Sequence, residues 1–208
     1  MKRLIPAVAL MLLCASAGAK ETRKMPDATK TELATFGGGC FWCMDAIFRE
    51  LKGVLGVESG FSGGPGANPS YKEVCTGTTG HAEAVQIRFD PKVITYEALL
   101  EVFWKTHDPT TLNRQGNDEG TQYRSVIFWH NEPQHQLAVH YKKALDAGKL
   151  WKNPIVTEIV PFKAFYAADI SHQDYYTQNP HAGYCLFVIR PKVEKFRQVF
   201  KDKLKAKP

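Results

Sequence analysis

Cysteine is scarce in this chain, and the usual frames for using it structurally are missing. Five cysteines occur among 208 residues. Cys40 and Cys43 form one Cys-x-x-Cys pair, but no second pair and no His-x₃-His completes a zinc site. No apolar run reaches the ~20 residues that a membrane-spanning helix needs; Leu4 to Leu13 is about half that length. Internal repeats are absent, as is a linker that would divide the chain. Neither sign of charge dominates, with 27 Lys and Arg against 21 Asp and Glu. The surplus of basic residues carries no nucleic-acid motif.

What is present fits one folded domain with a separate leader. A hydrophobic fraction of 44%, with twelve Phe, eight Tyr and four Trp, supports a packed core. Lys2 and Arg3, the apolar run to Leu13 and the small residues Ala15 to Ala19 make a secretory signal pattern. Cleavage is expected near Ala19, giving a signal peptide over 1–19, a polar leader over 20–30 and the main folded domain over 31–208. The product is expected to be exported, to the bacterial periplasm. Four cysteines remain in it: Cys40, Cys43, Cys75 and Cys185. A domain of this size needs no disulfide staples, so cysteine chemistry is the economical explanation for some of them. Cys75 reads as a buried small hydrophobe.

Patterning places the elements. Glu32 to Phe36 reads as a strand ending at Gly37-Gly-Gly39, followed by a helix over 41–51. Val54 to Ser62 is a second strand, and Ser70 with Glu73 forms a capping box before a short helix containing Tyr71. In the strand from His81 to Phe89, Glu83, Val85, Ile87 and Phe89 share one face. Thr95 opens a helix to about His107, and a polar loop over 108–122 leads into a strand from Tyr123 to Trp129. Asn131 caps a helix from Pro133 to Ala147, Ile155 to Val160 is a strand, and 162–184 is irregular and aromatic. Pro191 starts a last helix whose basic residues read as a solvated face. Elements mix without β–α alternation. The fold class is α+β: one two-layer domain, a mixed sheet flanked by helices of the ferredoxin-like, α–β plait type.

The sequence Gly37-Gly-Gly-Cys-Phe-Trp-Cys43 concentrates the chemistry. Glycines let backbone amides approach a reactant, and Cys40 falls at a helix N-terminus, where the dipole favours a thiolate. Free cysteine is only a few per cent thiolate at neutral pH, so this placement is expected to raise the reactive fraction. Phe41 and Trp42 can wall an apolar pocket. Cys43 lies one turn on, suited to a redox pair or to a buried structural role. Glu83 stands in phase with three core residues. It is either a buried acid with a raised pKa or a carboxylate at a frayed strand end. Taken alone, the polar stretch over 116–125 reads as a solvated turn, and His172 reads more readily as an ordinary surface or hydrogen-bonded histidine than as a catalytic one.

Taken in order, these segments resemble the peptide methionine sulfoxide reductase A family. They are Gly38-Gly-Cys40-Phe-Trp, Gly60-Phe-Ser-Gly-Gly64, Tyr71 with Glu73-Val-Cys-Thr-Gly77, and Thr79-Gly-His-Ala-Glu83-Ala-Val. Gly116-Asn-Asp118 through Gln122-Tyr123-Arg-Ser, His172-Gln and Gly183-Tyr-Cys185 complete the set. The resemblance spans about residues 31–190. It implies that Cys40 attacks the sulfur of the S-epimer of methionine sulfoxide while Glu83 protonates the oxygen. Tyr71 and Tyr123 would hydrogen-bond that oxygen, and Asp118 would hold the polar side of the pocket. Phe41, Trp42 and Tyr123 would enclose the methyl group, with His172 as a further pocket residue. Cys40 would become a sulfenic acid that condenses with a second thiol. Cys185 matches the resolving position, with Cys43 as the alternative, held back because helical geometry is expected to suit a relaxed Cys40–Cys43 bond poorly. The resemblance further implies no bound cofactor or metal, a thioredoxin-like dithiol reductant, oxidised proteins as substrates, no nucleic acid, and a monomer.

Two rivals stand beside this reading. One is an exported thioredoxin-like thiol–disulfide oxidoreductase using Cys40 and Cys43. The other is a non-catalytic module that binds oxidised peptides in a Trp-lined pocket.

Overall fold

The computed structural model describes residues 31–206; the signal and leader segments and Lys207 lie outside the described residues. Strand β1 (Glu32–Gly38) runs into helix α1 (Phe41–Phe48), followed by β2 (Val54–Ser62), α2 (Tyr71–Cys75) and β3 (Ala82–Phe89). Next come α3 (Tyr96–Thr106), a small hairpin of β4 (Arg114–Gln115) and β5 (Asp118–Glu119), then β6 (Ser125–Trp129) and α4 (Glu132–Ala147). The chain ends with β7 (Glu158–Pro161), β8 (Phe165–Ala167), α5 (Tyr175–Gln178) and α6 (Arg190–Val199). Six strands form one sheet in the order β7-β6-β1-β3-β2-β8. Only β6 and β7 are parallel, so the sheet is mixed, and this is the expected α+β arrangement of sheet and flanking helices.

The caps form as their residue types dictate. Ser70 and Glu73 exchange both capping-box bonds, and the Thr95 and Asn131 side chains accept from Ala98 and Gln134. Helix α1 is different, because every residue except Trp42 is buried, as expected of a helix enclosed on all sides. Its one buried charge, Asp45, accepts two hydrogen bonds from Arg49, at 2.8 and 2.7 Å. Arg49 also donates to the Val57 carbonyl at 2.8 Å, which fixes α1 across β2.

Several elements differ from the sequence reading. The strand expected from Ile155 starts only at Glu158, and the aromatic segment contributes β8 on the sheet edge. Within the polar loop, β4 and β5 pair two residues each. The last helix is preceded by a π-helical turn over Cys185–Ile189. Its cations are also more than a solvated face. Arg197 donates to both Glu50 oxygens at 2.8 and 2.5 Å, and Lys205 donates to the Arg49 carbonyl at 2.9 Å. The C-terminal segment is thereby tied to the end of α1. Cys75 is exposed, not buried: α2 is a single short turn, and Val74 takes its inward position.

The glycine turn imposes its own demands. Gly39 has φ +94°, and a Cβ there would meet the Gln115 side chain at 2.6 Å. Gly39→Ala should therefore cost about 1–3 kcal/mol. Urea unfolding should show a lower midpoint at an unchanged m-value; an unaltered midpoint would mean that the turn is not under this constraint.

Candidate active site

The turn from β1 to α1 positions the first thiol. A Cβ on Gly37 would lie 2.8 Å from Val126 and 2.9 Å from the Glu83 carbonyl; glycine lets β1 pass close between its neighbours there. Cys40 is the N-cap of α1, with ψ 125°, and its carbonyl accepts from the Cys43 amide at 3.1 Å. The next free amide of the helix, that of Phe41, donates to Glu83 Oε2 at 3.0 Å. The start of the helix therefore serves the carboxyl group and leaves Cys40 without a side-chain cap bond.

Glu83 sits on the core-facing side of β3, 1% exposed, opposite Phe61 in the ladder. Of the two sequence alternatives, the buried one is realised. Burial pushes its pKa up to about 8, opposed by the Phe41 amide and reinforced by Asp118. At neutral pH the group is thus largely a neutral acid, able to donate a proton.

Aromatic rings enclose this acid and thiol. Phe41 lies 5.8 Å from Phe61 and 6.2 Å from Tyr71, and Tyr71 lies 4.4 Å from His172. His172 also faces Trp42 at 5.7 Å, and Trp42 stacks on Tyr175 at 3.8 Å. Trp42 Nε1 and His172 Nδ1 are buried without a partner among the described residues. Burial raises the Tyr71 and Tyr123 hydroxyls well above the ordinary phenol range, and Glu83 adds to both shifts. They therefore stay protonated as hydrogen-bond donors. A hollow of about 740 Å³ lies elsewhere and is lined by Trp104, Tyr141, Leu145 and Trp151; no thiol lines it.

The electrostatics of the thiols depart from expectation. Cys40 was placed where a helix terminus should lower its pKa, yet burial, the Cys43 thiol and Glu83 push it up. Its neighbour takes the benefit. Cys43 is lowered to about 7, first by a hydrogen bond with Cys40, against the opposing effect of burial, and also by the Lys192 charge and the Tyr184 hydroxyl. The Tyr184 hydroxyl lies 3.9 Å from Cys43 Sγ and donates to Asp118 Oδ2 at 2.7 Å. Cys185 is fully buried in the π-helical turn. Its sulfur makes no hydrogen bond among the described residues, and burial, with Cys43 second, raises its pKa. Tyr184, Tyr175 and Lys192 were missed as site residues. Tyr184 was visible only as the partner of Cys185 in Gly-Tyr-Cys, Tyr175 lay in the segment read as irregular, and Lys192 was hidden among tail lysines. No group of three or more His, Cys, Asp or Glu suited to a metal occurs among the described residues.

A buried acid, two neighbouring thiols and a cluster of aromatic rings are the makings of a thiol-dependent oxidoreductase. The sequence profile described as "Peptide methionine sulfoxide reductase" matches residues 32–204. The peptide methionine sulfoxide reductase MsrA of Sulfolobus acidocaldarius is 56% identical over 172 residues, covering 83% of this chain and 97% of that protein. Among solved structures, Mxr1 from Saccharomyces cerevisiae in reduced form matches with TM-score 0.71 and 37% identity, over 76% of this chain and 91% of that one. Mxr1 in complex with Trx2 matches with TM-score 0.50 and 27% identity, over 74% and 91%. The chain belongs to the peptide methionine sulfoxide reductase family.

Burial of Glu83 has a measurable sign. Its folded pKa of about 8 exceeds the unfolded value of ~4.3, so between those values only the folded state holds the proton. Stability then falls as pH rises through that window, by at most about 1.4 kcal/mol per pH unit from this group. Glu83→Gln abolishes the contribution, so its stability relative to the parent should climb from pH 5 to 8 in urea titrations. A pH-independent difference would mean that Glu83 is charged in the folded protein.

Proposed function

We propose that this chain reduces the S-epimer of methionine sulfoxide, free or in proteins, by direct attack of Cys40 on sulfur. The observation that carries the reading is the neutral acid Glu83 bound to the first amide of the helix that Cys40 caps. A sulfoxide oxygen is a poor leaving group until protonated. Glu83 supplies that proton, and Tyr71 and Tyr123 stabilise the oxygen as charge develops on it. Phe41 and Trp42 hold the S-methyl group, His172 closes the cage over Tyr71, and Asp118 orders the polar side through Tyr184. Cys40 gives up its proton to the neighbouring Cys43, whose pKa of about 7 lets it serve as the base. The products are methionine and Cys40 sulfenic acid, and condensation with a second thiol, Cys185 or Cys43, gives a disulfide and water.

A thioredoxin-like dithiol then restores the thiols. The complex of the related Mxr1 with Trx2 supports that partner class. The working form is proposed as a monomer with no bound cofactor. Its location is proposed to be outside the cytoplasm, on the strength of the signal pattern in residues 1–19.

The test uses separated sulfoxide epimers with dithiothreitol as reductant. Turnover should be confined to the S-epimer and lost in Cys40→Ser. Glu83→Gln should slow methionine formation by about 10²–10⁴, and the parent rate should decline above pH 8 as the acid ionises. Unchanged turnover in Glu83→Gln across neutral pH would remove the proton-donor role. Insulin reduction faster than sulfoxide reduction would favour the thiol–disulfide oxidoreductase instead.

A further inference from the structure

Lys192 has no part in sulfoxide reduction as described, yet it is directed at the site. It belongs to α6, is half-buried, and its Nζ donates to Cys43 Sγ at 3.7 Å. Cys40 and Cys43 are also better disposed toward each other than two cysteines inside a helix. Cys40 stands outside the helix as N-cap, and Cys43 is the third helical residue. The Cys40 side chain is therefore not held to the helical direction, and each thiol shifts the titration of the other. We infer that Cys43, held by Lys192, is the thiol that closes the first disulfide on Cys40, and that Lys192 is its positioning residue. This rests on the reading of Cys40 as the nucleophile.

The step balances. Reduction leaves the substrate oxygen on Cys40 as a sulfenic acid. The Cys43 sulfur attacks the Cys40 sulfur, an S–S bond forms and the S–O bond breaks. The departing hydroxide takes the Cys43 proton and leaves as water. The two thiols together have given two electrons to the sulfoxide.

Attack requires the thiolate of Cys43. Three groups facing that sulfur favour its charge: the Cys40 thiol, the Lys192 ammonium and the Tyr184 hydroxyl. Asp118 and burial oppose it, and Glu83 and Cys185 share its field as further groups that its charge disfavours ionising. The balance leaves Cys43 near neutrality, where a modest cation decides how much thiolate exists. A hollow of about 250 Å³ lined by Asp118, Tyr184, Phe187 and Lys192 opens beside these groups. An external dithiol approaching there would meet the Cys43 side of the bridge.

The experiment gives the full chain one equivalent of methionine sulfoxide without reductant. Sulfenic acid is trapped with dimedone in one arm, and the disulfide is located by peptide mapping in the other. The parent chain and Cys185→Ser should both form a Cys40–Cys43 bridge at early times, while Cys43→Ser should hold dimedone-reactive Cys40 for longer. Lys192→Met should slow bridge closure at pH 7 by roughly fivefold, because a rise of about one unit from a pKa of about 7 cuts the thiolate from about one half to about one tenth. The rate should recover at higher pH, and Lys192→Arg should restore it at pH 7. A purely structural role for Lys192 would lower the rate at every pH. A first bridge between Cys40 and Cys185 with Cys43 free, or an unshifted pH profile in Lys192→Met, overturns the inference. If methionine and a Cys40 adduct are both absent, the nucleophile reading fails along with it.

Discussion

The hydrogen bond from the Phe41 amide to Glu83 Oε2 joins the two halves of the molecule on which everything else depends. Its donor is the first helical amide after the glycine turn, and its acceptor lies on the core face of β3. Breaking it would leave a buried amide unsatisfied, a penalty of about 1–3 kcal/mol. The bond also acts against the use to which the acid is put, because an N–H donor favours the carboxylate. Burial outweighs it, and the acid stays mostly neutral near pH 7. Only Oε2 is engaged, so the proton can reside on Oε1. One contact therefore fixes the helix start, sets the distance from thiol to acid, and leaves a donor oxygen unoccupied.

Placing an acid beside a nucleophilic thiol creates a conflict that the second cysteine relieves. A charged Glu83 would suppress the Cys40 thiolate, and burial suppresses it further. The helix terminus cannot compensate, since its first amide is already committed to the carboxyl group. The thiol that ionises more readily is instead Cys43, one helical turn on, close to Lys192 and Tyr184. Cys40, its pKa raised, then has beside it a thiol that ionises more readily. In the proposed mechanism this arrangement would separate the thiolate used for redox closure from the neutral acid that protonates the sulfoxide oxygen.

Features that obey a local rule were legible in the sequence. The caps at Ser70, Thr95 and Asn131 follow from side chains that accept from amides three residues on. Glu83 was conspicuous because period-two patterning put a carboxyl group among Val85, Ile87 and Phe89. Patterning could not decide between burial and fraying, because that depends on Phe41 arriving from another element. Lys192 shows the limit most clearly. Its sequence surroundings are those of any solvated lysine, and its contact with Cys43 comes only from docking α6 against α1. Cys40 misled for the same reason: its position in the helix was right, but the competing claim of Glu83 on the helix amide is tertiary. Cys75 was misjudged because hydrophobic character alone does not say which side of a single helical turn faces inward.

The C-terminal segment consequently bears on chemistry as well as stability. Arg197 holds Glu50, Lys205 holds the Arg49 carbonyl, and Leu204 forms a bridge to Leu51. Each contact lies at or just beyond the far end of α1, while Lys192 meets the helix near its start. The aromatic cluster proposed to hold the substrate is built differently, from α1, α2, β2 and the segment carrying His172, with Glu83 on β3 beside it. Loosening α6 would therefore disturb the charge on Cys43 before it disturbed Glu83 or the aromatic walls. On the proposed mechanism, the two halves of the cycle, oxygen removal and disulfide closure, would thus be supported by different parts of the fold that meet at Cys40.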